Sequence, residues 1–106
     1  MIKDIPVLAL TPGEPAGIGP ECAIRLAYEH PELRLLVVAD PGLLAQTADA
    51  LGYEVPVIPW QPGDNVATGK LSCFEQSLGA PVVAGQTDPG NARYVINTIK
   101  AAVRLV

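Results

Sequence analysis

Residues 11–21 read Thr-Pro-Gly-Glu-Pro-Ala-Gly-Ile-Gly-Pro-Glu, and this stretch brings together the groups best suited to meet a ligand. Three prolines and three glycines in eleven residues leave the backbone little freedom, because proline fixes φ while glycine admits φ > 0. Gly13, Gly17 and Gly19 would let main-chain amides approach a small molecule closely. Thr11 offers a hydroxyl that either bonds a ligand or caps the loop itself. Glu14 offers a carboxylate for a ligand hydroxyl or a cofactor ribose, or one that holds the loop's own amides. Asp40, after a later apolar run, could meet a ribose, but Asp40-Pro41 also reads as a helix cap.

The stretch is preceded by Ile5-Pro-Val-Leu-Ala-Leu10 and followed by the helical pattern Cys22-Ala-Ile-Arg-Leu-Ala-Tyr28. This is the strand–loop–helix context in which amides at a helix N-terminus can face an anion. The glycines do not fall at the G-x-G-x-x-G spacing, and no Lys-Ser/Thr pair makes a P-loop. A ligand wall and a tight structural turn are both compatible with the pattern. Pro20 suits the first helical position, where its missing N–H is harmless, and Glu21 can itself satisfy the positive helix end.

Other chemistry is sparse. His30 is the sole histidine and stands beside Pro31, a position suited to capping carbonyls but not to holding a metal alone. Cys22 and Cys73 are too few for a disulfide framework and read as two reduced, partly buried thiols. No nucleophile–base pair is evident, and Trp60 reads as loop packing. Taken alone, these residues make a scaffold without a visible catalytic centre.

The elements that position them alternate in type. After a helix ending near Glu29, Arg34-Leu-Leu-Val-Val-Ala39 is an apolar run suited to a strand covered on both faces. Asp40 and Pro41 begin a second helix that ends at Gly52. Residues 53–58 read as a third strand, which Pro56 and Pro59 either weaken or place at an edge. Residues 61–69 read as a surface loop, residues 70–74 as a short strand, and residues 80–84 as an extended segment with an edge character. The final helix starts from Asn91 and carries Ala92, Val95, Ile96, Ile99, Ala102, Val103 and Val106 as an apolar stripe. That stripe has no stop signal, so the chain is expected to be cut within this helix. The order implies an α/β fold with an at least partly parallel sheet and right-handed crossovers.

Composition bounds the partners. The 106 residues carry 49% hydrophobic side chains, a net charge of −4 and seven scattered basic residues. That argues against nucleic acid or an anionic membrane as partner. No signal-peptide layout or spanning apolar run is present, so a cytoplasmic location is expected.

The whole Thr11–Glu21 motif resembles the N-terminus of the 4-hydroxythreonine-4-phosphate dehydrogenase family. The resemblance extends through Val37-Val-Ala-Asp40, Leu51-Gly52, Ala80-Pro81, Gly85-Gln86 and the start of the Asn91–Tyr94 helix. Its Gly17-Ile-Gly-Pro-Glu21 part is also similar to the loop opening isopropylmalate and isocitrate dehydrogenases. The resemblance implies a three-layer α/β/α fold of that type, with residues 1–106 as the N-terminal part of one dehydrogenase domain. It implies NAD-dependent oxidation and decarboxylation of 4-phosphohydroxy-L-threonine on the route to pyridoxal 5′-phosphate. It further implies a divalent metal (Zn, Mg or Co) held by histidines, and a homodimer. Thr11, Gly13, Glu14, Gly17 and Gly19 would line the cofactor or substrate cleft. None of the family's metal histidines carries over to His30, and its basic substrate-binding residues have no counterpart before Val106. This chain alone is therefore expected to hold neither NAD nor metal tightly and to be inactive. Two alternatives stand beside this reading: a related dehydrogenase for another sugar-acid phosphate or an aromatic cis-diol, and a non-catalytic anion-binding α/β module.

Overall fold

A computed structural model describes residues 6–78, 85, 86 and 89–105. The strands are β1 (Val7–Leu10), β2 (Arg34–Ala39), β3 (Val57–Pro59) and β4 (Leu71–Glu75). The helices are α1 (Gly19–Glu29), α2 (Pro41–Leu51) and α3 (Ala92–Leu105), the last preceded by a short 3-10 turn at Pro89–Asn91.

Among the described residues all strand pairs are parallel, in the order β1-β2-β4-β3. The apolar run of β2 is explained by its place between two strands with a helical layer on each side. Leu35, Val37 and Ala39 pack with Ile24 and Ala27 of α1 and Leu44 and Ala48 of α2. On the opposite face Leu36 packs with Trp60 and Val66, and Leu105 of α3 closes against them. Successive residues of one strand thus serve two cores, as the two-residue period requires. The three-layer α/β/α expectation holds.

The connections obey one chirality. The crossovers through α1 and α2 both advance across the sheet on the same face. The link from β3 back to β4 steps in reverse, and its Trp60 and Val66 pack on the other face. Reversing both direction and face preserves the hand, so all three crossovers share it, in keeping with the rule for parallel strands.

Local signals explain the element ends. Asp40 Oδ1 accepts from the amides of Gly42 and Leu43 at 2.8 and 3.2 Å, capping α2 ahead of Pro41. Gly52 closes α2 in the left-handed region, at φ 73°. Helix α1 ends at Glu29, before His30-Pro31. Its first residue is Gly19, one position ahead of the proline expected to open it.

Four features differ from the sequence expectations or go beyond them. The third strand is shorter and shifted, at Val57–Pro59, though it does lie on an edge. Strand β4 is central, between β2 and β3. The loop at residues 61–69 is mostly exposed but buries Val66, while the guanidinium of Arg34 donates to the Val66 carbonyl at 2.9 Å and to Asn65 Oδ1 at 3.2 Å. The fourth concerns α3. Its buried residues are Tyr94, Thr98 and Ala101, whereas Ile96, Ile99 and Val103 of the apolar stripe are 52%, 50% and 68% exposed. None of the described stripe residues is buried, and the buried face is half-polar, with the Thr98 hydroxyl donating to the Val95 carbonyl at 2.7 Å. The expected extended segment at residues 80–84, the proposed start signal at Asp88 and the stripe residue Val106 lie outside the described residues.

Candidate functional site

Parallel α/β sheets bind ligands beyond the carboxyl ends of their strands. The loop at residues 11–18 occupies that position on β1, which ends at Leu10. Its shape is self-determined. Gly13 has φ +78°, a region that L side chains rarely adopt. The Gly17 amide donates to the Glu14 carbonyl at 3.0 Å, closing a turn around Pro15 and Ala16. At Gly19 the backbone of Pro12 passes so close that a Cβ would collide with the Pro12 carbonyl. Glycine is required there by the close approach.

The candidate residues divide by position. Thr11 and Gly19 line a hollow of about 210 Å³ with Leu10, Pro12 and Cys22. Gly17 lines a second one of about 330 Å³, between the loop and Gln46 and Thr47 of α2. Gly13 and Glu14 line neither. Glu14 Oε1 accepts from the Ala16 amide at 3.2 Å, so the carboxylate supports its own loop. Ile18 stands at the N-cap of α1 without a side-chain cap, and the Cys22 amide closes the first turn on its carbonyl at 3.0 Å. The uncapped helix end and the loop amides form the polar element of this edge.

A second cluster lies at the exit of β2, where Asp40 is joined by Tyr94, a residue the sequence does not mark. The remaining carboxylate oxygen of Asp40, Oδ2, accepts from the Leu78 amide at 3.1 Å. The Asp40 amide donates to the Tyr94 hydroxyl at 3.0 Å. Both Asp40 carboxylate oxygens are thus occupied by protein amides, as the cap reading implies. Tyr94 was not legible as part of this cluster; the only signal was that it is the one aromatic residue of its helix. Burial pushes its hydroxyl's pKa up from 10.0, and the nearby Asp40 charge adds to this, against the lowering effect of the amide hydrogen bond. The Gly85 amide donates to the Ala16 carbonyl at 3.0 Å, tying a later segment to the opening loop.

The thiols differ from each other. Cys22 is exposed, contrary to the expectation of partial burial, whereas Cys73 is buried with its thiol donating to the Ala39 carbonyl at 3.3 Å. Burial pushes the Cys73 pKa up to about 11, so it is no nucleophile near neutral pH. His30 lies exposed, with Nδ1 3.4 Å from Glu32 Oε2. Among the described residues no group of three or more His, Cys, Asp or Glu could hold a metal ion. The donor set for the expected divalent metal is therefore not met by these residues. No described helix is long and apolar enough to cross a membrane.

The fold and this edge define a parallel, three-layer α/β protein whose first strand–loop–helix turn faces the ligand side of its sheet. Comparison with known proteins gives the finer assignment. No family model matches the chain. Over 98 residues it is 44% identical to 4-hydroxythreonine-4-phosphate dehydrogenase of Chromobacterium violaceum, covering 92% of this chain and 30% of that one. Over 100 residues it is 42% identical to the enzyme of the same name from Marinobacter nauticus, with the same coverage. Its homologues are 4-hydroxythreonine-4-phosphate dehydrogenases, and it spans about 30% of their length. The fold agrees: crystal structures of enzymes of that name from Burkholderia phymatum and Klebsiella pneumoniae superpose with TM-scores of 0.84 and 0.80. They are 24% and 20% identical to this chain, which is covered to 97% and 93%, against 33% and 32% of theirs. The resemblance noted in the sequence is thus borne out.

Proposed function

We propose that this chain supplies the opening strand–loop–helix wall of a 4-hydroxythreonine-4-phosphate dehydrogenase. The carrying observation is the 44% identity to the C. violaceum enzyme. The whole enzyme would oxidise the secondary alcohol of 4-phosphohydroxy-L-threonine, passing a hydride to NAD. The β-keto acid so formed would lose CO2 to leave 3-amino-2-oxopropyl phosphate, on the route to pyridoxal 5′-phosphate. Zn, Mg or Co would be required, with ligands supplied from outside this chain. The enzyme would be a cytoplasmic homodimer, acting on a small phosphorylated substrate.

Within it, the chain's own residues position and enclose. The Pro12–Gly19 crossing and the Glu14–Ala16 contact fix the loop before a ligand arrives, which lowers the ordering cost of binding. Thr11 and Gly19 border one hollow and Gly17 another, so the loop would offer backbone groups to cofactor or substrate on either side. Gly13 permits the turn and Glu14 braces it.

The test is a graft. The 106-residue chain replaces the matching segment of the C. violaceum enzyme, and NAD reduction is followed with 4-phosphohydroxy-L-threonine and a divalent metal. An active graft, and an inactive 106-residue chain, are expected. A folded graft without activity, or turnover by the short chain alone, would overturn the reading.

A further inference from the structure

The underside of α3 carries a feature that the proposed dehydrogenase role does not use. Where α3 passes the end of β4, a groove of about 420 Å³ opens. Phe74 and Leu105 give it apolar walls, while Gln76, Asn97, Lys100 and Arg104 supply polar heads. Asn97, Lys100 and Arg104 share one side of the helix, three and four residues apart. Among the described residues no carboxylate lines the groove. The ion pairs among the described residues are Arg25–Glu21 and His30–Glu32, so neither groove cation is paired with a described carboxylate. In a chain of net charge −4 this is a local reversal of sign.

We propose that this groove binds a small anion carried on a planar apolar body, an aryl phosphate or aryl carboxylate. The ring would lie against Phe74 and Leu105. The anionic group would receive charge-assisted hydrogen bonds from Lys100 and Arg104, with the Gln76 and Asn97 amides fixing its orientation. The volume suits such a ligand. Binding here is independent of the dehydrogenase reading, since none of these residues borders the opening loop.

Trp60 provides the readout. It is the sole tryptophan and meets Phe74 edge to face, with ring centroids 6.0 Å apart. Titrating the 106-residue chain with phenyl phosphate, and separately with benzoate, should give a saturable change in Trp60 emission with at least one probe. Phenol and inorganic phosphate, each lacking half the ligand, should bind at least about tenfold more weakly. A Lys100→Gln/Arg104→Gln double variant should weaken the favoured probe by about tenfold or more. Both residues are exposed, so folding is retained, as checked by an unchanged Trp60 spectrum without ligand. No saturable response at millimolar concentrations of either probe would overturn the proposal. So would equal affinity in the double variant, or inorganic phosphate matching the aryl probes.

Discussion

The Asp40 amide and the Tyr94 hydroxyl meet at 3.0 Å, joining residues 54 positions apart. Through this bond the end of β2 is tied to α3, while the Asp40 side chain holds α2 and Leu78. Tyr94→Phe removes the acceptor and leaves a partly buried amide unpaired. It should cost about 1–3 kcal/mol, measured by urea unfolding. Asp40→Ala should cost about 1–2 kcal/mol from the lost cap alone, and more with the Leu78 contact included. A Tyr94→Phe variant as stable as the parent would show that water replaces the hydroxyl at no cost.

The opening loop makes a sharper demand at Gly19 than at Gly13. Gly19→Ala sets a methyl group against the Pro12 carbonyl, so the loop backbone must shift. In the grafted enzyme it should reduce kcat/KM by tenfold or more, on the order of the effect of small misplacements in a catalytic site. Gly13→Ala meets no atom within 4 Å but must adopt φ +78°. It should cost about 1–2 kcal/mol of stability, read from thermal melting. Equal effects at the two positions would refute this distinction.

The apolar stripe of α3 separates two accounts of what holds the helix. With Ile99 50% exposed and Tyr94 buried, Ile99→Gln should change the stability of the 106-residue chain by less than about 0.5 kcal/mol. Tyr94→Ala should cost about 3 kcal/mol or more. A large loss at Ile99 in denaturant titrations would mean that the stripe, not the Tyr94 face, packs on the sheet.

The two cysteines should separate in both rate and pH response. A thiol reagent at mildly alkaline pH should label Cys22 at once and Cys73 only on unfolding, because one is exposed and the other buried. Burial raises the Cys73 thiol to about 11 in the folded chain from its ordinary value of 9.0, so between these values the folded chain holds a proton that the unfolded chain releases. The stabilising contribution is complete below pH 9 and is lost as pH rises through 11. The raised Tyr94 hydroxyl acts in the same direction. Unfolding midpoints measured across this range should fall, and Cys73→Ala should flatten part of that fall.

Local chemistry was legible where one residue type had one mechanical use. Asp40-Pro41 and Gly52 marked the ends of α2, and Arg34–Ala39 read as a doubly covered strand. Strand order was not legible, since β4 has no local feature that states which neighbours it will join. Helix α3 was legible as a helix, but which of its faces meets the sheet was not, for a physical reason. Periodicity ranks side chains by hydrophobicity, but Tyr94 and Thr98 are buried with their hydroxyls satisfied, and the more apolar stripe is left outward. At the candidate site the Thr11–Glu21 pattern was recognisable as a motif. Its internal bracing by Glu14, and its link to Gly85, depend on how the turn folds back.

The place of β4 carries a consequence for the order in which the chain can assemble. Strand β3 is made before β4, yet its partner in the sheet is β4, which lies between it and β2. While a ribosome releases residues 57–59, the neighbour they need has not been synthesised. The first two strands can zip together around α1, but the third must wait until residues 71–75 arrive to fill the gap. Sheet completion is thus a late, non-local event, of the kind that slows folding relative to helical neighbours. A nascent chain stopped near residue 70 would hold one paired half and one stranded ribbon.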